Sequence, residues 1–240
     1  MKNNKNNLIR LGVMFVACLG MITFHTNGAI DFKVDPDLSR AIDWYTGVTG
    51  RVDDVKAKAL LDKAALKETP LAVMWIARVH STGRMGYSSD KGKAMEIAKT
   101  VIDEVEKLAA SQIPEALFLM GTAYAEGLGK SLNPEQAVVW YRRAAVLGNV
   151  LAQHNLGNAY AFGKGVDQSD ELAIKWWLMA AEQGDAIPQY QLGLAYEKGK
   201  GVATDLNIAN TWYQNSAARG YAKAKTAIKR LNRLNRLKRD

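Results

Sequence analysis

A glycine, a lysine and a serine end the stretch AYAEGLGKS, at Ala123 to Ser131, and a phosphate-binding loop holds its nucleotide with these residue types. The loop pattern Gly-x-x-x-x-Gly-Lys-Ser also requires a first glycine, where this chain has Tyr124. A phosphate loop follows a strand, whereas the residues before Tyr124 have the apolar spacing of a helix. We therefore predict a turn here and no nucleotide site.

Histidines and acidic residues are the other groups that could do chemistry. His25, His80 and His154 have no second histidine or carboxylate at the spacing that places two metal ligands on one helix face. The acidic run Asp103 to Glu106 offers paired carboxylates, but a glycosidase pair needs a cleft and an acid of raised pKa, which nothing near the run supplies. The sequence predicts no catalytic residue, no metal site and no cofactor, and therefore a protein that is not an enzyme.

The formal net charge of +8 is confined to the two ends of the chain. Residues 1–30 carry three basic residues and no acid, and residues 221–240 carry eight basic residues and one acid. Residues 31–220 therefore carry a net charge of −2. Because a domain that binds nucleic acid needs a basic face of its own, we predict no nucleic-acid partner.

The N-terminus has the pattern of a secretory signal peptide. Basic residues precede an uncharged apolar run, Leu11 to Phe24, which is shorter than the roughly twenty residues of a membrane span. Small residues suit cleavage near Gly28 or Ala29. The single cysteine, Cys18, lies in the apolar run, so the cleaved chain has no thiol for a disulfide, catalysis or a metal. We expect a periplasmic or secreted protein, with an uncleaved inner-membrane anchor as the alternative.

Three blocks of 36 residues align without a gap and begin at Pro114, Val150 and Ala186. Self-similarity at a fixed period of this length is typical of helical repeat proteins. Each block contains two segments with apolar residues at helical spacing, joined by a glycine-rich turn. The glycines, tyrosines and tryptophans that recur in register are Gly121, Gly157, Gly193, Tyr124, Tyr160, Tyr196, Trp140, Trp176 and Trp212.

The ends of the helices are also marked in each block. Asn133, Ser169 and Asp205 stand where the second helix should begin, and their side-chain oxygens suit an N-cap. The residue before the last in each block is a glycine, which most readily stops a helix in the left-handed conformation. These glycines are Gly148, Gly184 and Gly220.

A glycine inside each first helix, such as Gly157, costs about 1 kcal/mol relative to alanine and so needs a packing reason. We predict that it admits the second helix and its tryptophan, such as Trp176, which packs in the core and between repeats instead of stacking on a sugar or base.

The same frame extends upstream from Pro70, with one long second helix over Lys93 to Ser111. A weaker first repeat surrounds Trp44.

The clearest block matches a long pattern at Ala152, Leu156, Gly157, Tyr160, Gly163, Gly165, Val166, Ala173, Trp176, Ala180, Ala181 and Gly184. This pattern resembles the Sel-one-like repeat, a family related to the tetratricopeptide repeats, and the resemblance covers about residues 36–228. It implies an all-α fold, a right-handed α-solenoid of about five helical hairpins with a C-terminal capping helix. It also implies a protein-binding scaffold. Members with signal peptides resemble one another as periplasmic adaptors, regulators and envelope assembly factors.

Some positions share one face of the first helices yet vary between blocks, which a purely structural role would not favour. Their mixture of amide, apolar and charged side chains suits recognition of a peptide or helix on a concave face. The alternatives are a merely solvated face, or a cell-wall or polysaccharide-associated factor in which Phe162 and Tyr190 stack on glycan. The candidates for partner binding are Leu119, Thr122, Glu126, Asn155, Asn158, Phe162, Gln191, Leu194 and Lys198.

The C-terminal tail places Ile228, Leu231, Leu234 and Leu237 three residues apart among basic side chains. This spacing suits a soluble capping helix, or a helix that docks on anionic lipid or an acidic partner.

We divide the chain into a signal peptide at 1–29, two degenerate repeats at 36–110, three clear repeats at 111–220, and a basic capping helix and tail at 221–240.

Overall fold

The computed structural model describes residues 33–237, and all regular structure in this range is α-helical. The predicted signal peptide lies outside the described residues. The predicted all-α repeat fold is confirmed, since successive helices pair as antiparallel hairpins and each hairpin packs on the next. The helices are α1 (Pro36–Thr46), α2 (Asp54–Ala65), α3 (Pro70–Thr82), α4 (Lys91–Lys99), α5 (Ile102–Ala110), α6 (Pro114–Glu126), α7 (Pro134–Val146), α8 (Val150–Phe162), α9 (Asp170–Glu182), α10 (Ala186–Lys198), α11 (Leu206–Ala218) and α12 (Ala222–Leu237).

The second helix of the second hairpin is interrupted, so the prediction of one long helix over Lys93 to Ser111 is wrong. The amides of Thr100 and Val101 bond to carbonyls three residues back, at 3.1 Å each, which tightens and ends α4. The Thr100 hydroxyl also donates to the Ile97 carbonyl. The chain then restarts as α5, which packs against α6.

The predicted caps are confirmed at both ends of the second helices. The side chains of Asn133, Ser169 and Asp205 accept hydrogen bonds from amides in the first turns of α7, α9 and α11. The three glycines that stand before the last residue of each block adopt the left-handed conformation, with φ between 88° and 100°. Local sequence therefore fixes where each hairpin starts, turns and stops.

The glycine inside each first helix lies under an aromatic ring of the second helix. A Cβ on Gly121 would lie 2.5 Å from Cδ1 of Tyr141, and Gly193 has the same relation to Tyr213. In the middle repeat Trp177 covers Gly157 just as closely. The predicted close approach is therefore correct.

The ring that makes this contact is not the predicted one. Trp140, Trp176 and Trp212 do not cover the glycines, since each precedes the covering aromatic by one residue. Successive residues of a helix are rotated by about 100° around its axis, so these tryptophans point away from the contact between the two helices of the hairpin. They are half-buried on the flank of the second helix, and Trp140 stacks with Arg143.

The stretch AYAEGLGKS forms the turn between α6 and α7, as predicted. Gly127 ends α6 in the left-handed conformation, with φ 74°. Gly129 packs on Ile102 of the preceding hairpin, where a Cβ would be 3.0 Å from the isoleucine. The lysine that suggested a phosphate site, Lys130, pairs with Glu106 at 2.8 Å. The turn therefore joins neighbouring hairpins.

The loop of the first hairpin touches the end of the last repeat. The amide of Val52 donates to the carbonyl of Arg219 at 2.9 Å. Nη1 of Arg219 donates to the carbonyls of Gly47 and Val48, at 2.5 and 2.9 Å. We call this set of hydrogen bonds the closing contact, because it joins residues about 170 positions apart in the chain.

The two side-chain hydrogen bonds of the closing contact exist because Arg219 replaces a glutamine. The equivalent residue one repeat earlier, Gln183, donates to Gly148 O at 3.1 Å and to Gln153 Oε1 at 2.7 Å within its own junction. The guanidinium of Arg219 instead reaches the first hairpin. Gln189, the equivalent of Gln153, is consequently left with an unpartnered Oε1.

The C-terminal helix α12 covers the apolar end of the last hairpin. Ala227 and Leu231 are buried against Ala209 and Tyr213 of α11, and Ile228 packs beside them. The apolar side chains of Ala227, Ile228 and Leu231 are therefore used within the fold, while basic residues such as Lys225 and Lys229 stay exposed. This arrangement is that of a capping helix.

We predict that Gly157→Ala destabilises the protein by about 1–3 kcal/mol, because the new methyl group would overlap the Trp177 ring. The matched control is Gly92→Ala in α4, where the nearest atom to a Cβ is an aspartate oxygen at 3.5 Å. That change should leave stability unchanged or raise it by up to about 1 kcal/mol. Urea unfolding followed by circular dichroism measures both, and equal effects would contradict the glycine–ring constraint.

We predict that Arg219→Gln removes the two side-chain hydrogen bonds of the closing contact without unfolding the repeats, because glutamine is the residue that the preceding repeat carries at this position. Amide hydrogen exchange in residues 47–53 should become about tenfold faster. Lys223→Gln, which removes an exposed cation nearby, is the control and should leave this exchange unchanged. Unaltered exchange in the Arg219 variant would mean that these two hydrogen bonds contribute nothing to the order of this loop.

Candidate partner-binding clefts

Two of the predicted partner-binding residues are inaccessible. Leu119 and Thr122 are fully buried, because α6 packs between α3, α5 and α7. The Thr122 hydroxyl donates to the Phe118 carbonyl at 3.3 Å and accepts from the Tyr141 hydroxyl at 3.4 Å. Both residues are part of the core, and their assignment to a binding surface is wrong.

Three other candidates come together in one cleft, which we call the upper cleft. Glu126, Asn155 and Asn158 line a space of about 530 Å³ between the α6–α7 hairpin and α8. Its floor is apolar, with Ala137, Val138, Tyr141 and Ala159, and the turn from Gly163 to Gly165 closes one end. An apolar floor with a few polar groups above it is the usual form of a binding site.

The polar groups of the upper cleft are set in place by the fold. The Oδ1 atom of Asn158 accepts a hydrogen bond from Nε1 of Trp177 at 3.1 Å, which orients the amide and leaves its NH₂ group to donate elsewhere. Oε2 of Glu126 is shielded from water and has no partner.

A second group of candidates lines the next junction, which we call the lower cleft. Gln191, Leu194 and Lys198 surround a smaller space of about 130 Å³ together with Trp177 and Asp170. Phe162 lines neither cleft and is 61% exposed at the end of α8. The structure therefore brings six of the nine candidates into two successive clefts.

One buried arginine, Arg78, was missed in the sequence. The guanidinium of Arg78 lies 4.5 Å from the centroid of Trp75 and 5.2 Å from that of Phe118, and Nε and Nη1 of Arg78 have no partner. Such stacking on rings offsets part of the cost of burying the cation. An arginine within the apolar segment PLAVMWIARVH was the signal that could have indicated it.

Arg84 connects distant repeats electrostatically. Its guanidinium donates to the Tyr45 hydroxyl. Its pKa is raised, mainly by Tyr45 and to a smaller extent by Glu126 and Asp185. Arg84 follows α3, whereas Asp185 precedes α10, so a winding chain brings early and late repeats close together.

Two further buried polar pairs join successive repeats. Glu115 accepts from Nε1 of Trp75 at 2.5 Å and from Nδ2 of Asn149 at 3.0 Å, and burial raises its pKa. His154 contacts Asp185 at 3.0 Å. Both pairs are explained by packing. No group of three or more metal-ligating side chains occurs within residues 33–237.

Comparison with protein families identifies the repeat. The sequence model of the Sel1 repeat matches residues 19–46, 45–68, 114–149, 150–185 and 189–221. The hairpin formed by α3 and α4 lies outside these matches, in agreement with its degenerate sequence. No curated protein matches the chain.

Solved structures show the same repeat fold. A Sel1 repeat protein from Oxalobacter formigenes is 31% identical over 75% of this chain and 50% of its own, with a TM-score of 0.54. A protective antigen present in uropathogenic Escherichia coli strains, which displays an SLR fold, is 27% identical over 80% of this chain and 39% of its own, with a TM-score of 0.53. The chain thus spans half or less of the length of these two proteins. Within residues 33–237, none of the helices has the length and apolarity needed to cross a membrane.

The buried phenol of Tyr141, at the floor of the upper cleft, predicts a specific response to alkali. Burial raises the pKa of Tyr141 to about 12, with Glu126 adding to the rise and Thr122 opposing it. The unfolded pKa is about 10, so the stability due to this group is complete below pH 10 and is lost as the pH rises through the folded pKa.

We therefore expect wild type to lose more stability between pH 9 and 11 than Tyr141→Phe, which cannot ionise at this position. Urea midpoints at the two pH values measure the difference. Equal losses in the two proteins would show that Tyr141 ionises equally well in the folded and unfolded chains.

Proposed function

The chain belongs to the Sel1 repeat family, whose repeats generally mediate protein–protein interactions, and from this premise we propose that it is a non-enzymatic scaffold, adaptor or regulator of the bacterial envelope. The partner is an envelope or periplasmic protein. It binds along the upper and lower clefts, on the inner side of the hairpins.

The observation that carries this proposal is the upper cleft. Asn155 and Asn158 present side-chain amides above an apolar floor. A carboxamide offers one acceptor and two donors, which suit the C=O and N–H groups of an extended peptide. Because Asn158 is held by Trp177, little side-chain entropy is lost on binding.

Three other groups add to the proposed binding surface. The unpartnered oxygen of Glu126 suits a donor from the partner, such as a lysine or arginine side chain. Phe162 is exposed, and in the sequence it lies between the residues of the upper cleft and those of the lower cleft. Its ring can pack against an apolar residue of the partner. Lys198 adds a cation at the lower cleft.

The proposed location rests on the N-terminal sequence. The basic start followed by the apolar run Leu11 to Phe24 supports export by a signal peptide, and retention as an inner-membrane anchor is the alternative. The four segments of the chain, at 1–29, 36–110, 111–220 and 221–240, would then be leader, degenerate repeats, clear repeats and capping helix with tail.

The exposed basic residues of α12 support an additional contact with anionic lipid or an acidic partner. Lys223, Lys225 and Lys229 are exposed, while the apolar side chains Ala227 and Leu231 are buried in the fold. Such a contact would weaken as the salt concentration rises, because it depends on the charges of these lysines.

In-cell photocrosslinking from residues 155, 158 and 191 tests the proposal. A photoreactive amino acid at each position should capture one common protein, to be identified by mass spectrometry. Position 175 on α9, an exposed lysine away from the clefts, is the matched control and should not capture it. The double variant Asn155→Ala, Asn158→Ala should reduce capture from position 191 by at least about tenfold, since each lost hydrogen bond weakens binding.

Capture of the same set of proteins from position 175 as from the clefts would contradict the proposal. So would turnover of any substrate by the purified protein that one acidic or histidine substitution abolishes, because the scaffold would then be an enzyme.

A further inference from the structure

A cavity of about 670 Å³ lies between the first hairpin and the last repeat, away from the upper and lower clefts. On one side it is lined by the loop Val48 to Gly50, which the closing contact holds in place. On the other side it is lined by Gln189 and by residues of α11, including Trp212. This cavity, which we call the seam cavity, therefore forms only when the two ends of the repeat array meet.

The seam cavity contains an unused hydrogen-bond acceptor. Gln189 is 5% exposed, and its Nε2 donates to the Ala181 carbonyl at 3.0 Å, which fixes the side chain. Its Oε1 has no partner. In the preceding repeat the same atom of Gln153 accepts from Gln183. Arg219 has taken the place of that donor and is directed to the first hairpin, so the acceptor of Gln189 has lost its donor.

The other residues that line the seam cavity indicate which class of ligand fits it. Glu182 and Arg219 carry opposite formal charges, which favours a neutral ligand over an ion. Asn215 adds an amide that can both donate and accept. Trp212 is half-buried and supplies an apolar aromatic surface. A ligand that fits has an apolar face and many hydroxyl groups, each able to donate and to accept.

We propose that the seam cavity binds a neutral saccharide. One face of a sugar ring packs on Trp212, and a hydroxyl donates to Oε1 of Gln189. Further hydroxyls bond to Glu182, Asn215 and the free N–H groups of Arg219. The proposal goes beyond protein binding at the upper and lower clefts and does not depend on it.

Titration of the purified protein with neutral disaccharides tests this inference. Cellobiose, maltose and N,N′-diacetylchitobiose are the probes, and isothermal titration calorimetry and saturation-transfer NMR are the measurements. At least one probe should bind saturably. Trp212→Ala should weaken that binding by at least about tenfold, because the stacking surface is removed. The matched control is Trp176→Ala, one repeat earlier, which should leave the affinity within about twofold because Trp176 lines none of the cavities described above.

Two further variants separate loss of the site from loss of the fold. Gln189→Leu is similar in size but removes both the acceptor and the hydrogen bond to the Ala181 carbonyl, and it should weaken binding with an unchanged circular dichroism spectrum. Arg219→Gln should abolish binding, because it restores a partner to Gln189 and removes the side-chain hydrogen bonds to the loop.

Three results would overturn the inference. These are the absence of saturable binding by every disaccharide, binding that Trp212→Ala leaves intact, and saturable binding of a neutral decapeptide library to the seam cavity in place of the sugars. None of these results bears on crosslinking from the upper and lower clefts, which tests the scaffold proposal separately.

Discussion

The contact between a helical glycine and an aromatic ring is the constraint on which the rest of this protein depends. Gly121, Gly157 and Gly193 allow Tyr141, Trp177 and Tyr213 to lie directly against the backbone of the first helix. This sets the distance between the two helices of each hairpin, and the next hairpin packs on the surface that results. Tyr141 lies at the floor of the upper cleft and Trp177 lines the lower cleft, so the geometry of the proposed binding surface follows from the core.

Differences between the repeats, rather than their common features, create the clefts and the cavity at which we propose that partners bind. Asn158 and Leu194 occupy a position that Thr122 fills in the buried α6, and only the later two are accessible. Arg219 occupies the position of Gln183 and turns a contact within one junction into a contact between distant repeats. A regular framework with a few changed residues thus suits a scaffold, in which surface shape selects the partner.

Much of the fold could be predicted from the sequence because its signals are local and repeated. The caps at Asn133, Ser169 and Asp205 and the turn at Gly127 act within a few residues, so their effect does not depend on the remainder of the chain. The end of α4 at Thr100 was harder, because no proline or glycine marks it. Leu119 and Thr122 were misassigned because a helix face that is open in one repeat is covered in another, and spacing alone cannot show which neighbour covers it.

The sequence by itself determined the repeat, the all-α class and the ends of the helices in the three clear blocks, since a 36-residue period and strong capping residues leave few alternatives. It also showed that AYAEGLGKS is a turn and not a phosphate loop. Only the tertiary structure decided which aromatic covers each glycine, that Lys130 pairs with Glu106, and that Arg219 joins the last repeat to the first hairpin. These contacts depend on how each helix is rotated about its axis and on how successive hairpins stack. Both result from packing between many residues that are distant in the sequence, so no single segment of the sequence determines them.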